Sequence, residues 1–270
     1  MSETISRRSM IATVVAAGAA GALGEAADTA KSSYYELRHF QLRTDSTAQE
    51  KRTADFLTGA YMPAAKRAGA TTIGLFGSSI APSTPFTIAL TTYPTFAHVN
   101  EVREKLLADS AYQKALADFD SSTSDTSPSR AYERMETWLL RAFDFFPAPE
   151  PGSGDAKRPA RVFEMRTYES ANQTLGARKI KMFGSGEVGI FRRCGLQPVW
   201  FGECIAGSNM PRLTYMVAFD DMAARDKAWT AFRNDDEWKK LQAVPEFAKP
   251  PLVSNISNAI LVPINGSDIR

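Results

Sequence analysis

The dominant pattern is an alternation of apolar and polar side chains that returns at a near-constant distance along the chain. Tyr35-Glu36-Leu37-Arg38-His39-Phe40 answers Phe163-Glu164-Met165-Arg166-Thr167-Tyr168, an offset of 128 residues from Arg38 to Arg166. Lys66-Arg67-Ala68-Gly69 answers Arg192-Arg193-Cys194-Gly195, at 126 from Gly69 to Gly195. Asp109-Ser110-Ala111-Tyr112-Gln113-Lys114 answers Asp235-Asp236-Glu237-Trp238-Lys239-Lys240, again at 126 from Tyr112 to Trp238. One register held across three motifs marks a duplication. Between the copies, Pro147-Ala148-Pro149-Glu150-Pro151-Gly152-Ser153-Gly154-Asp155 is too rich in proline and glycine to continue helix or strand, and reads as a linker.

Within the second copy the alternation predicts a strand over 161–168. A helix follows over 173–194, with Gly195 as its C-terminal cap. Strands are predicted at 198–205 and 213–219, a second helix from Met222 toward Leu241, and a last strand over 253–263. Strand–helix–strand–strand–helix–strand is the ferredoxin-like order, which leaves one sheet face bare. The other copy is the natural cover. The expected fold class is therefore α+β, with two tandem ferredoxin-like repeats closing into a pseudo-dimeric α+β barrel. The segments are a signal peptide and short tail at 1–31, the first repeat at 32–146, the linker at 147–160, the second repeat at 161–264, and a C-terminal tail at 265–270.

Composition adds limits. Apolar residues at 44% and charged residues at 23% suit a soluble chain whose core needs neither disulfide nor metal. A net charge of +2, with no basic run interleaved with aromatics, argues against nucleic acid as a partner. The N-terminus reads Ser6-Arg7-Arg8-Ser9-Met10-Ile11 before a weakly apolar Ala/Gly-rich stretch from Ala12 to Leu23. Paired arginines before so mild a stretch predict a removed twin-arginine signal, and hence a periplasmic or otherwise extracytoplasmic protein. Met10 stands where that signal usually carries phenylalanine. The apolar run is too short to span a bilayer, so no stable span is expected in the mature protein. Cys194, at a helix end, and Cys204, at the far end of the next strand, are too far apart to form a bridge.

Phe163-Glu164-Met165-Arg166-Thr167-Tyr168, Phe191-Arg192-Arg193-Cys194-Gly195, Phe219-Asp220-Asp221-Met222-Ala223-Ala224-Arg225-Asp226 and Phe232-Arg233-Asn234-Asp235-Asp236-Glu237-Trp238 together resemble NIPSNAP domains. They span nearly the whole second copy. The first copy departs from the pattern, with Tyr93-Pro94 where the second has Phe219-Asp220. The resemblance implies a dimeric α+β barrel, in which two sheets close face to face. It implies no particular chemistry, because the family has no settled activity. The wider superfamily includes monooxygenases and haem enzymes.

The chain carries no metal motif, nucleophile elbow, phosphate loop or dinucleotide fingerprint, so no catalytic constellation is recognisable and no cofactor is predicted. His39 and His98 are the two histidines, and either could serve as a haem ligand. Gly184, Gly186 and Gly189 read as close-packing positions in a helix. On the opening strand of the second copy, Phe163, Met165 and Thr167 share one face, and the apolar face is expected to meet the helices. That directs Glu164, Arg166 and Tyr168, with Glu36, Arg38 and Phe40, into the space between the sheets. Two readings of these charges stand: a structural Glu–Arg network, or a pocket for an anionic or polar small molecule. Glu187 interrupts an apolar helix stripe, with Tyr61 at its equivalent place in the first copy, and needs an ionic partner or an acid/base role. Trp200, Tyr215 and Asn255 could add wall and hydrogen bonds. The functional expectation is a small-molecule-binding or accessory protein, with a possible small-molecule ligand and possible homo-oligomer. The alternatives are a cofactor-light monooxygenase or isomerase using the pocket between the two sheets, with Glu187 or Glu164 as base, and a structural assembly module.

Overall fold

In the computed structural model, residues 32–45, 47–121, 130–151 and 160–270 are described. The expected signal at 1–31 and the linker's middle at 152–159 lie outside them. The first half runs β1 (Tyr34–Gln41), α1 (Thr47–Phe56), α2 (Met62–Ala68), β2 (Ile73–Ile80), β3 (Phe86–Tyr93), α3 (Phe96–Ala108), α4 (Ser110–Asp120) and β4 (Arg134–Ala142). The second runs β5 (Val162–Glu169), α5 (Gln173–Met182), α6 (Val188–Arg193), β6 (Gln197–Ala206), β7 (Arg212–Phe219), α7 (Met222–Asn234), α8 (Asp236–Gln242), α9 (Pro245–Ala248) and β8 (Asn255–Pro263).

Among the described residues the strands close into one antiparallel barrel in the order β1-β3-β2-β8-β5-β7-β6-β4. Within each half the strands lie fourth, first, third, second. The halves join at two seams, β2 with β8 and β4 with β6, each with a break in register. Closure removes every sheet edge, which is what two four-stranded sheets with bare faces require. β3 and β7 are buried along their whole length because interior side chains cover one face and helices the other.

The long helix expected over 173–194 has an interruption. A five-residue π-helical segment, Phe183–Glu187, separates α5 from α6, and Leu57–Tyr61 separates α1 from α2 at an offset of 126. The helix expected from Met222 to Leu241 breaks at Asp235, whose carboxylate accepts the Trp238 amide at 2.9 Å and so caps α8. Asp109 caps α4 in the same way through Tyr112, at 3.0 Å. The glycine reading holds at one position of three. A Cβ on Gly184 would come within 2.8 Å of the Phe145 ring, whereas Gly186 and Gly189 have no neighbour within 4 Å. Gly186 instead supplies a backbone with φ of 133° inside the π segment.

The barrel interior is apolar, filled by side chains that include Tyr35, Leu37, Phe163, Met165, Trp200 and Leu261. This reverses the expected face assignment. Phe163 and Met165 point into the barrel, and Glu164, Arg166 and Tyr168 point out toward the helices. Both faces of these strands are buried, so alternation alone could not say which face met the helices. The segment 265–270 is not a free tail either. The Asp268 amide donates to the Ile73 carbonyl, the Leu75 amide donates to Ser267 Oγ, and Ile269 is buried in the barrel core. Cys194 and Cys204 are unbridged.

Candidate functional site

β5 sets Glu164, Arg166 and Tyr168 on its helix-facing side, where α7 closes over them. Glu164 is fully buried and accepts four hydrogen bonds. Arg225 Nε and Trp229 Nε1 each reach Oε2 at 2.7 Å, while Arg166 Nη1 at 2.7 Å and Asn258 Nδ2 at 3.1 Å reach Oε1. Burial pushes this carboxyl up, but the bonds from Arg225, Arg166, Trp229 and Asn258 outweigh it and hold the group below its ordinary value. The carboxylate thereby fixes Arg166, whose guanidinium carbon lies 4.7 Å from the Trp229 ring centroid and 5.5 Å from that of Tyr168. The Arg166 side chain keeps 16% of its surface exposed.

Tyr168 Oη meets Tyr215 Oη at 2.8 Å. Burial pushes the Tyr215 hydroxyl well up, so it stays protonated at neutral pH. Nearby, Lys179 Nζ donates to Glu187 Oε2 at 2.6 Å and lies 4.2 Å from the Phe183 ring centroid. Burial pushes the Glu187 carboxyl up, and Lys179 opposes that shift without cancelling it. Glu187 thus has an ionic partner, as its place in an apolar stripe required, and the partner is a lysine.

Glu36 and Arg38 do not join this group. They form their own constellation in the first half, with Arg38 Nε and Nη2 donating to the two Glu36 oxygens at 3.0 and 3.1 Å. Tyr93 Oη donates to Glu36 Oε2 at 2.8 Å, and Tyr61 lies under the guanidinium at 5.0 Å. Tyr61 and Glu187 each end a π segment, and each faces the arginine of its own half.

Two expected site residues lie elsewhere. Trp200 is inside the barrel, its ring centroid 5.5 Å from that of Tyr35. Asn255 is exposed at the start of β8, with Nδ2 donating to Glu169 Oε1 at 3.1 Å. Asn258, three residues further along the strand and on its opposite face, is the asparagine that reaches Glu164. The sequence reading also missed Arg225, Trp229 and Lys179. Arg225 and Trp229 are spaced i,i+4 on the stripe that carries Ala228 and Phe232, a signal available from helical periodicity. Lys179 precedes Glu187 by eight residues, about two helical turns.

A surface groove of about 420 Å³ runs past Ser185, Gly186, Ile190, Arg193, Lys240 and Val244, and none of its lining belongs to either Glu–Arg constellation. Among the described residues no group of three or more His, Cys, Asp or Glu could hold a metal ion, and no helix is long and apolar enough to cross a membrane. His39 packs on Phe86 at 4.3 Å between ring centroids, and His98 Nδ1 contacts Thr95 Oγ1 at 2.7 Å.

The Glu164 constellation lies wholly within the segment that the family comparison picks out. Residues 163–268 match the NIPSNAP family model. The NIPSNAP match thus covers β5 to β8 and ends in the segment that pairs with β2. No curated protein matches the chain in sequence. Among solved structures, a candidate monooxygenase from Fusobacterium nucleatum is similar over 87% of this chain and 94% of its own, at 10% identity and a TM-score of 0.58. One from Lactobacillus acidophilus is similar over 87% and 95%, at 10% identity and 0.51. A NIPSNAP family protein of unknown function from Agrobacterium tumefaciens aligns with 41% of this chain and 94% of its own, at 18% identity and 0.36. At such identities the first two likenesses carry the fold alone, an α+β fold with a closed barrel.

Proposed function

We propose that this is an exported small-molecule-binding or accessory protein built from two tandem ferredoxin-like copies, with its ligand site between sheet and helices of the second copy. The observation that carries this is Arg166. Its guanidinium is locked by buried Glu164 and stacked on Trp229 and Tyr168, while the side chain as a whole keeps 16% of its surface exposed opposite Asn258, itself exposed on β8. A fixed guanidinium on a partly exposed side chain suits a ligand that presents an anionic or polar acceptor. The direct test is native mass spectrometry of the mature protein purified from its own host. A bound small molecule lost in Arg166→Met supports the site, and retention of that molecule in the variant rejects it.

A second reading takes Glu187 as a base, because burial raises its pKa toward the range useful for proton transfer. It ranks lower because Glu187 is 2% exposed and pinned to Lys179. The former alternative, catalysis in the space between the sheets, loses its support from the apolar filling of the barrel. Export rests on Arg7-Arg8 and the Ala/Gly-rich stretch behind them. Replacing both arginines by lysine should hold the precursor in the cytoplasm, and unchanged export would reject the assignment.

A further inference from the structure

One end of the barrel contains a buried cation that no carboxylate among the described residues pairs with. Arg212 opens β7 on its inward face and is 8% exposed, yet among the described residues no carboxylate pairs with it and its buried Nε has no hydrogen-bond partner. Its guanidinium carbon stands 4.5 Å from the Trp138 ring centroid, a stacked contact that leaves the edge of the fork unused. Glu169 is its register partner across the β5–β7 ladder, but Glu169 Oε1 accepts Asn255 Nδ2 at 3.1 Å and Asn209 Nδ2 at 3.5 Å. Burying an unpaired charge is among the most unfavourable arrangements in a protein, so a built-in cation of this kind points to an anion that completes it.

The surroundings have the form of a site. His39, on the inward face of β1, centres 5.9 Å from Trp138 and 4.3 Å from Phe86, and its buried Nδ1 also lacks a partner. Burial holds His39 below its ordinary pKa, so the ring is neutral near pH 7 and Arg212 is the charge on offer. Glu136, the register partner of His39 on β4, accepts from Arg134 Nε at 2.9 Å. The backbone of Gly207 comes so close that a Cβ there would lie 2.7 Å from Trp138 Cδ1 and 3.3 Å from Arg212 Nη2. The first half has Phe86 where the second has Arg212, at the shared offset of 126, so the site exists once per chain.

We propose that this barrel mouth binds a small-molecule carboxylate, held by Arg212, with its body against Trp138 and a hydrogen bond at His39. A single guanidinium matches the planar, singly charged carboxylate through two parallel N–H···O bonds. The site is separate from the Glu164 constellation, which faces the helices on the other side of the sheet.

The test is calorimetry and tryptophan fluorescence with benzoate as the probe, using the full mature chain. Wild type should bind benzoate saturably, and Arg212→Met should weaken that binding at least ten-fold. In carboxylate-free buffer Arg212→Met should melt at or above wild type, because the uncompensated cation is gone. Benzoate should raise the melting temperature of wild type only. Trp138→Phe should keep the heat of binding and lose most of the fluorescence response, which locates the site. Equal benzoate affinity in Arg212→Met would overturn the proposal. So would an Arg212→Met chain that fails to fold or melts below wild type in both buffers, and so would chloride binding as tightly as benzoate.

Discussion

Lys179 Nζ lies 2.6 Å from Glu187 Oε2, and the two side chains are only 6% and 2% exposed. Removing one member leaves the other charged and buried, so Glu187→Gln should cost about 3–5 kcal/mol. The double variant Lys179→Met/Glu187→Leu should recover most of that, since a packed apolar pair is often neutral or stabilising. Urea unfolding of the singles and the double checks this, and additive losses would reject it. The pH dependence has a definite sign. Burial raises the folded pKa of Glu187 above its ordinary 4.5, so this group's contribution is present below that value and is lost as pH rises through the raised one. The double variant should lack that decline.

Glu164 should behave in the opposite sense. Its hydrogen bonds hold the folded pKa below the ordinary 4.5, so its contribution is present above that value and lost as pH falls through the depressed one. Glu164→Gln should flatten acid unfolding in this range. Arg166→Met, which removes one of four donors, should cost about 1.5–3 kcal/mol. Because the two side chains share a bond, the cycle Glu164→Gln with Arg166→Met should couple by about 0.5–3 kcal/mol. Additive melts would mean that the network does not hold Arg166.

Ile269, the penultimate residue, is fully buried among the side chains of the barrel core. Ile269→Ala should therefore cost about 2–5 kcal/mol, the range for truncating a packed aliphatic side chain. An exposed C-terminal residue would change stability by less than about 0.5 kcal/mol. A near-neutral result in thermal or urea unfolding would mean that the C-terminus is not docked in solution.

The halves should be one cooperative unit. Each sheet has an apolar inner face covered by the other half, and its outer strands pair across the seams. Residues 161–270 expressed alone should dimerise or aggregate. Sedimentation that finds a folded, soluble monomer would reject the closed barrel as the folding unit.

Periodicity and punctuation along the chain were enough to determine the order of the strands and the helical stretches between them, the Gly195 cap and the need of Glu187 for a partner. These are local matters, set by which backbone conformations glycine, proline and alternating side chains allow. Tertiary structure alone decided which way β1 and β5 face. Alternation reports that a strand has two kinds of face, and in a barrel wrapped by helices both faces are buried, so polarity could not tell inside from outside. The charged face turned to the helices because α7 supplies Arg225 and Trp229 to Glu164 from more than sixty residues away. The same reason hid Arg212, which reads as an ordinary strand-end arginine until closure of the barrel buries it beside Trp138, with no paired carboxylate among the described residues.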